Sequence, residues 1–336
     1  MRHEARYYET LADGRVRCLI CPIRCKLSEG KEGVCMGRIN DGGKMIATNY
    51  GEAVSIHVDP IEKKPLFHFK PRTKAFTIAT TGCSFRCLNC QNSGISQAKP
   101  HEVRNVELFP PAVVSEALKS GSASVAYSYS EATTYFEYMI DTARLARQAG
   151  LSNLWISNGF INRAPLLELC KVLGAANVNL KSFSDDIYRK LNGGRLQPVL
   201  NTFTTLHEQG IHFEMTNLVV PGYVDDPELV KRMCGWILAN LGPDHPLHFL
   251  RFFPLYKLDR LAPTPLSTLE TFRGLAMAEG IRYVYIGNIP NHEGANTWCH
   301  NCRKLLVERR GYAIPVFDIA GGNCRYCGTR IPGVWT

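Results

Sequence analysis

Three cysteines at C-x3-C-x2-C spacing, Cys83, Cys87 and Cys90, constrain this chain more than any other feature. The residues before them, Phe76-Thr77-Ile78-Ala79-Thr80, read as a short buried strand. The cysteines then sit on a loop leaving a strand end, the position where α/β enzymes carry their chemistry. Thiolate is a soft ligand suited to iron–sulfur chemistry, and three thiolates this close can hold three irons of a cubane cluster. With no fourth protein ligand, one iron stays open to a small molecule. A zinc knuckle or a set of buried thiols would use the same residue type, but neither requires a strand feeding the loop.

From about residue 76 to 290 a strand–helix alternation recurs. Strands are expected at 125–129, 153–157, 178–181, 213–219, 247–252 and 282–286. Helices are expected at 131–149, 164–173, 184–192, 227–240 and 267–279. Units of this length imply parallel strands joined by right-handed helical crossovers. They fall short of eight, so the expected α/β fold is a partial (β/α)6 barrel. An open doubly wound sheet is the alternative, although no Gly-rich phosphate loop is present.

Cysteines also cluster at both ends. Cys18, Cys21, Cys25 and Cys35 lie among Gly30, Gly33 and Gly37, in a segment too small to bury a core without a metal. A tetrahedral zinc or iron ion and an auxiliary iron–sulfur cluster suit them equally. At 44–75 short strands and turns are expected, then an approach segment, 59–69, passing near the cysteine loop. Its Lys63-Lys64 pair either meets the carboxylates of a ligand or stays solvated. Downstream, Cys299-x2-Cys302 and Cys324-x2-Cys327 form the paired knuckles of a zinc-ribbon or rubredoxin-like site. There the metal would supply most of the folding free energy. The expected division is a cysteine-rich N-terminal segment with approach strands (1–70), a partial barrel (71–292) and a C-terminal metal module (293–336).

A chain of 336 residues can hold one large α/β domain with such additions. No run of about 18 apolar residues is present, so no membrane span is expected. The stretch Met1-Arg2-His3-Glu4-Ala5-Arg6 is charged with no apolar run behind it, so no secretory leader is expected and a cytoplasmic location follows. Eleven of the thirteen cysteines fall in the three clusters, which in a reducing compartment means metal and not disulfides. Cys170 and Cys234 stand alone in apolar helical contexts and read as core. The formal charge of +9 raises nucleic acid as a partner. Metal-loaded thiolate sites would lower it to about +4, and the basic residues are dispersed, which argues against that partner.

Together the motifs resemble the radical S-adenosylmethionine (SAM) proteins of the pyruvate formate-lyase activating type. They resemble more closely the AmmeMemoRadiSam-system radical SAM proteins. The resemblance covers nearly the whole chain. It is carried by Cys18-Leu19-Ile20-Cys21-Pro22 with Gly33-Val34-Cys35, by Cys90-Gln91-Asn92 with Ile95-Ser96-Gln97, and by Ala126-Tyr127-Ser128-Tyr129-Ser130-Glu131. Ser157-Asn158-Gly159, Asn179-Leu180-Lys181, Tyr285-Ile286-Gly287-Asn288, the paired C-terminal knuckles and Ile331-Pro332-Gly333-Val334-Trp335 complete it. The resemblance implies a radical SAM barrel whose Cys83, Cys87 and Cys90 hold a [4Fe–4S] cluster, with SAM chelating the open iron. Reductive cleavage would give methionine and a 5′-deoxyadenosyl radical that abstracts hydrogen from a substrate. Zinc or iron at the outer sites and an external one-electron reductant are implied as well. So is a macromolecular substrate, either a glycyl-radical partner enzyme or AmmeMemoRadiSam companion proteins.

Residue roles follow from the same resemblance. Glu131 would receive the amino group of SAM, Asn158 would stand near the ligand, and Lys181 would pair with the methionine carboxylate. Asn217, His248 and Arg251, on later strand ends, would reach ribose or substrate. The structural alternatives are a helix-terminal Glu131 favoured by the dipole, a solvated rim lysine and a satisfied core histidine. Three positions depart from the family pattern: Asn89 replaces the aromatic residue before the third cysteine, Asn179 replaces an aspartate, and Ala132 replaces a proline. The rival function is a non-enzymatic zinc- or iron-binding scaffold that docks partner proteins or nucleic acid.

Overall fold

A computed structural model describes residues 3–336; Met1 and Arg2 of the charged N-terminal stretch lie outside the described residues. Eight strands form one sheet: β1 (Ser55–Pro60), β2 (Lys74–Ala79), β3 (Ser124–Tyr127), β4 (Ser152–Ser157), β5 (Ala175–Asn179), β6 (His212–Val219), β7 (Leu247–Arg251) and β8 (Val284–Gly287). From β2 to β8 neighbours follow chain order and every pair is parallel. A doubly wound sheet would reverse its order midway. This one does not, so the partial barrel holds and the open sheet is excluded. Strand β1 adds an antiparallel edge to β2, and among the described residues β1 and β8 do not pair.

The crossover helices are α1 (Pro110–Lys119), α2 (Phe136–Gln148), α3 (Arg163–Cys170), α4 (Leu196–Glu208), α5 (Pro227–Asn240) and α6 (Leu266–Glu279). Helix α5 starts as its sequence dictates, with the Asp226 carboxylate accepting from Glu228 N at 2.9 Å and Pro227 at the first position. Helices α1 and α4 escape the sequence reading. In α4 the residues Pro198, Thr202, Thr204 and Thr205 are poor helix formers, and burial of Val199, Leu200, Phe203 and Leu206 against the barrel supplies what propensity does not.

Strand alternation sorts the two faces of the barrel. Phe76, Ile78, Val125, Tyr127, Trp155, Val178, Phe213, Met215 and Phe249 point outward into the main core with the helices. Ala75, Ala126, Leu154 and Ala175 pack instead with Ile61, Leu66 and Phe69, which follow β1 and close the barrel floor. This corrects the expected approach segment. Because β1 runs antiparallel, Pro60 lies beside Lys74 at the start of β2, so the chain after it crosses the end of the barrel opposite the cysteine loop. Lys63 and Lys64 pair there with Asp59, their ammonium groups 2.9 and 2.7 Å from its carboxylate.

The C-terminal residues pack against β8 and the segment that follows β1. Their hairpin, β9 (Leu305–Arg310) and β10 (Ala313–Phe317), belongs to an apolar cluster with Phe67, Tyr283, Tyr285 and Cys299. Buried Arg309 donates to the Phe67 carbonyl at 2.9 Å. His68 bridges the Pro332 carbonyl and the Tyr285 hydroxyl at 2.6 and 2.5 Å, and Lys70 N donates to the Val334 carbonyl at 2.6 Å. At the other terminus, Val16, Ile20, Leu27 and Met45 join the main core. There Arg38, fully buried, forks onto the Glu137 carboxylate of α2 at 2.9 and 2.7 Å. Cys170 and Cys234 are buried core residues, as expected.

Candidate active site

The cysteine loop leaves the end of β2 and is fixed from three sides. Gly82 adopts φ +98°, and a side chain there would overlap the Cys35 carbonyl, so only glycine suits this turn. Phe85 is buried against Phe160, with ring centroids 5.1 Å apart. Arg86 N and Leu88 N donate to the carbonyls of Asn192 and Leu191 at 2.8 and 2.9 Å. Those carbonyls come from a single wide turn, Tyr188–Asn192, closed by Gly193 at φ +71°. The sequence reads an ordinary helix at 184–192; the observed π-type turn is the form that helices adopt where a backbone must be re-aimed.

Polar groups surround each sulfur. Phe85 N donates to Cys83 Sγ at 3.3 Å, Asn192 Nδ2 to Cys87 Sγ at 3.3 Å, and Ser96 Oγ lies 3.1 Å from Cys90 Sγ. Asn158 Nδ2 reaches Cys83 Sγ at 3.8 Å and Ser84 Oγ at 3.1 Å. Burial, and after it the charge of Glu131, pushes the Cys83 thiol well above its ordinary value. Burial raises Cys87 too, while Lys181 and Asn192 pull the other way. Buried sulfurs of this kind become thiolates against a metal cation.

The expected ligand residues divide by position. Glu131, 2% exposed, is the N-cap of the turn after β3. Its Oε1 accepts from Thr133 N, Thr133 Oγ1 and Ser157 Oγ at 3.0, 2.7 and 2.7 Å, and its Oε2 accepts only Asn158 N at 2.8 Å. One lone pair on Oε2 therefore stays open to a further donor. Lys181 follows the end of β5 and acts electrostatically on Cys87, and its ammonium has no carboxylate partner among the described residues. Asn217 turns its amide to the Leu180 carbonyl at 2.7 Å, so it fixes the turn that carries Lys181. Arg251 ends β7, its Nε donating to the Thr264 carbonyl at 2.9 Å.

His248 does not stand where the sequence reading put it. It is the second residue of β7, not a strand-end residue. It is 1% exposed, and its Nε2 lies 2.6 Å from Glu214 Oε2. Buried Glu214 also accepts His68 N at 2.7 Å, so His248 belongs to a satisfied network that ties barrel wall to floor. The departure at Asn179 has a local reason: its Nδ2 donates to the Ser157 carbonyl at 3.2 Å, which an aspartate carboxylate cannot do.

Sequence reasoning gave no role to Asn192, Ser96, Ser84 or Thr133. Thr133 lies two residues past Glu131, a spacing typical of side chains that cap a turn. Asn192 and Ser96 meet the cysteines only through the fold, as Ser84, next to Cys83, meets Asn158. A second polar network, within the barrel, was equally silent. Asp59 Oδ2 takes hydrogen bonds from Lys64, Thr77 and Tyr129 at 2.7, 2.9 and 2.6 Å, with Tyr129 held at φ +65°. Burial opposes ionisation of Asp59, yet bonds from Lys64, Tyr129 and Lys63 outweigh it and hold the carboxyl below its ordinary range.

At the C-terminal end Cys299, Cys302, Cys324 and Cys327 bring their sulfurs within 4.8 Å of one another. Two of the sulfur–sulfur distances are 3.7 Å. A tetrahedral ion with sulfur at about 2.3 Å requires an edge of about 3.8 Å, so this set fits one ion. Among the described residues the loop cysteines form no such tight group. Wider spacing suits thiols that bind separate irons of a cluster. Buried polar atoms without partners, Thr81 Oγ1, Asn89 Oδ1, Ser130 Oγ, Ser182 Oγ and Asn192 Oδ1, also lie on the segments that follow strand ends. The loop therefore carries a cluster-type donor set, and unpartnered polar atoms such as Thr81 Oγ1 and Asn192 Oδ1 lie on the segments around it.

Comparison with known proteins agrees with this geometry. Residues 77–233 match the family model described as the Radical SAM superfamily. The chain is 44% identical to uncharacterized protein MJ0808 of Methanocaldococcus jannaschii over 98% of each chain. It is 25% identical to the pyruvate formate-lyase 1-activating enzyme of Escherichia coli strain K12, over 61% of this chain and 89% of that protein. In fold it is similar to Streptococcus suis SuiB bound to S-adenosylmethionine, with a TM-score of 0.51 at 12% identity, covering 68% of this chain and 53% of SuiB. A strand-fed three-cysteine loop, a parallel barrel in chain order and this family match make one conclusion: residues 77–233 form a Radical SAM superfamily domain.

Proposed function

We propose that this protein is a radical SAM enzyme acting on a macromolecular substrate, with Cys83, Cys87 and Cys90 as the ligands of its [4Fe–4S] cluster. The observation that carries the proposal is the cysteine loop itself: three half-buried cysteines at the mouth of a parallel barrel, each sulfur beside a polar group, which among the described residues do not gather within 4.8 Å as a single-ion set does. When bound there, the reduced cluster supplies the electron that cleaves SAM to methionine and a 5′-deoxyadenosyl radical.

The chain's own residues bind and orient. Glu131 Oε2, with its open lone pair, receives the ammonium of SAM, and Lys181, without a carboxylate partner, receives the carboxylate. Asn158 holds Ser84 and Cys83 in place beside Glu131, and Asn217 fixes the turn that presents Lys181. Asn89, with an unpartnered buried carbonyl, accepts from the adenine amino group in place of the family's aromatic packing. The barrel floor, closed by Ile61, Leu66 and Phe69, keeps water from the inner end. Arg251, at the rim, faces the substrate side; His248 has no part in binding.

Two features support a protein or peptide substrate. The chain is similar to an activating enzyme for pyruvate formate-lyase. Beyond Arg251, Phe253, Leu255 and Tyr256 are exposed at 44%, 44% and 41%, on a loop whose Lys257 N donates to the Leu88 carbonyl at 3.0 Å. An apolar rim touching the cysteine loop suits docking of a polypeptide. Within this reading the protein works in the cytoplasm with an external one-electron reductant. Its substrate is a glycyl-radical partner or a companion of the AmmeMemoRadiSam set, and the C-terminal cysteines hold zinc or iron. The test is iron and acid-labile sulfide analysis of anaerobically prepared protein. Replacing Cys83, Cys87 and Cys90 together with serine is expected to remove about four irons and four sulfides per chain. An unchanged count overturns the assignment.

A further inference from the structure

We infer that Cys18, Cys21, Cys25 and Cys35 hold a second iron–sulfur cluster, a four-iron cube with every iron cysteine-ligated, packed against the loop of the first. The four side chains line one partly open cavity, bounded on the barrel side by Ser84 and Thr133. Gly33 forms part of the cradle: a side chain there would point at the sulfurs of Cys35 and Cys25, 3.7 and 3.9 Å away.

Spacing separates a cluster from a single ion. The C-terminal four gather within 4.8 Å, and among the described residues no three of the N-terminal sulfurs do so, in common with the three of the loop. One tetrahedral ion would need edges of about 3.8 Å throughout. Four converging thiols that stand wider match the separate corners of a cube. Buried Arg38, whose charge acts on Cys18 and Cys35, sits beside them as fixed positive charge, anchored by Glu137.

The two sites touch. The Cys35 carbonyl fills the space over Gly82, the residue before Cys83, and Arg86 of the cysteine loop donates to the Val34 carbonyl. One backbone contact and one peptide unit thus separate Cys35 from Cys83. The contact with a catalytic cluster rests on the proposed function; the N-terminal ligand set does not.

Sulfide analysis and electron paramagnetic resonance (EPR) test both parts. Wild-type protein reconstituted anaerobically is expected to hold about eight acid-labile sulfides per chain, and the Cys83→Ser, Cys87→Ser, Cys90→Ser variant about four. The variant's dithionite-reduced form is expected to give one S = 1/2 signal with no dependence on SAM. In reduced wild type, two clusters this close broaden each other's spectra. About four sulfides in wild type falling to none in the variant, with zinc at both outer sites, overturns the second cluster and leaves the catalytic one standing. Two sulfides in the variant overturn the cube. About eight sulfides with unbroadened spectra overturn the contact. Should the variant fail to fold, the wild-type count of eight against four decides alone.

Discussion

Lys181 is the residue whose setting is explained least by the folded protein alone. Its ammonium acts on Cys87 and has no carboxylate partner among the described residues. A charge-assisted bond to the SAM carboxylate is worth about 1.5–3 kcal/mol, so Lys181→Ala should weaken SAM binding roughly 10- to 100-fold. Calorimetric titration checks it, with iron content expected unchanged. The Asp59–Lys64 pair makes a second residue-scale prediction. Burial lowers Lys64, Asp59 pulls it back up, and the balance lies at about 8. Asp59→Asn leaves that ammonium buried without its counter-charge, a cost of about 3–5 kcal/mol. Relative to the variant, Asp59 raises the Lys64 pKa. Its contribution is therefore present on the acid side of 8 and lost as pH rises through 8. Urea midpoints at pH 6.5 and 9 should show the gap between wild type and variant narrowing; a pH-independent gap contradicts the pairing.

At the scale of elements, what the sequence disclosed depended on whether the signal was local. The three-cysteine loop was legible because its strand, its spacing and its ligands are contiguous. The paired C-terminal knuckles were legible for the same reason, and their sulfurs converge as expected. Helix α4 was not, because its formation depends on Val199 and Phe203 meeting the barrel and not on its own propensity. His248 was misjudged because the start and end of a short strand differ by only a few residues, and its partner Glu214 comes from a different strand. Asn192 and Ser96 were silent because each reaches its sulfur only after the fold has formed. The C-terminal element carries its own prediction. Its metal is expected to supply about 10–16 kcal/mol of binding free energy to a ribbon with little core of its own. A Cys302→Ser, Cys327→Ser variant should lose one equivalent of metal and become cleavable by protease within 297–330. Retained resistance without metal would show that packing against Phe67 and Tyr285 suffices.

For the molecule as a whole, the barrel is closed not by its own strands but by the C-terminal ribbon and the segment after β1. The C-terminal ribbon packs beside β8, and the segment after β1 closes the floor. The N-terminal cysteine segment is locked to the barrel through Arg38 and Glu137, and its Cys35 presses on the loop that begins at Gly82. Both ends are thereby coupled to a single open mouth carrying the cysteine loop and the exposed Phe253–Tyr256 rim. This arrangement places every proposed binding group at the side where a large substrate can approach. The central claim, that the loop supports reductive cleavage of SAM, is tested most directly by 5′-deoxyadenosine formation in anaerobic protein given SAM and dithionite. Wild type is expected to produce 5′-deoxyadenosine and methionine in equal amounts, and the Cys83, Cys87, Cys90 serine variant neither. Fully iron-loaded, reduced wild-type protein that yields no 5′-deoxyadenosine would contradict the account.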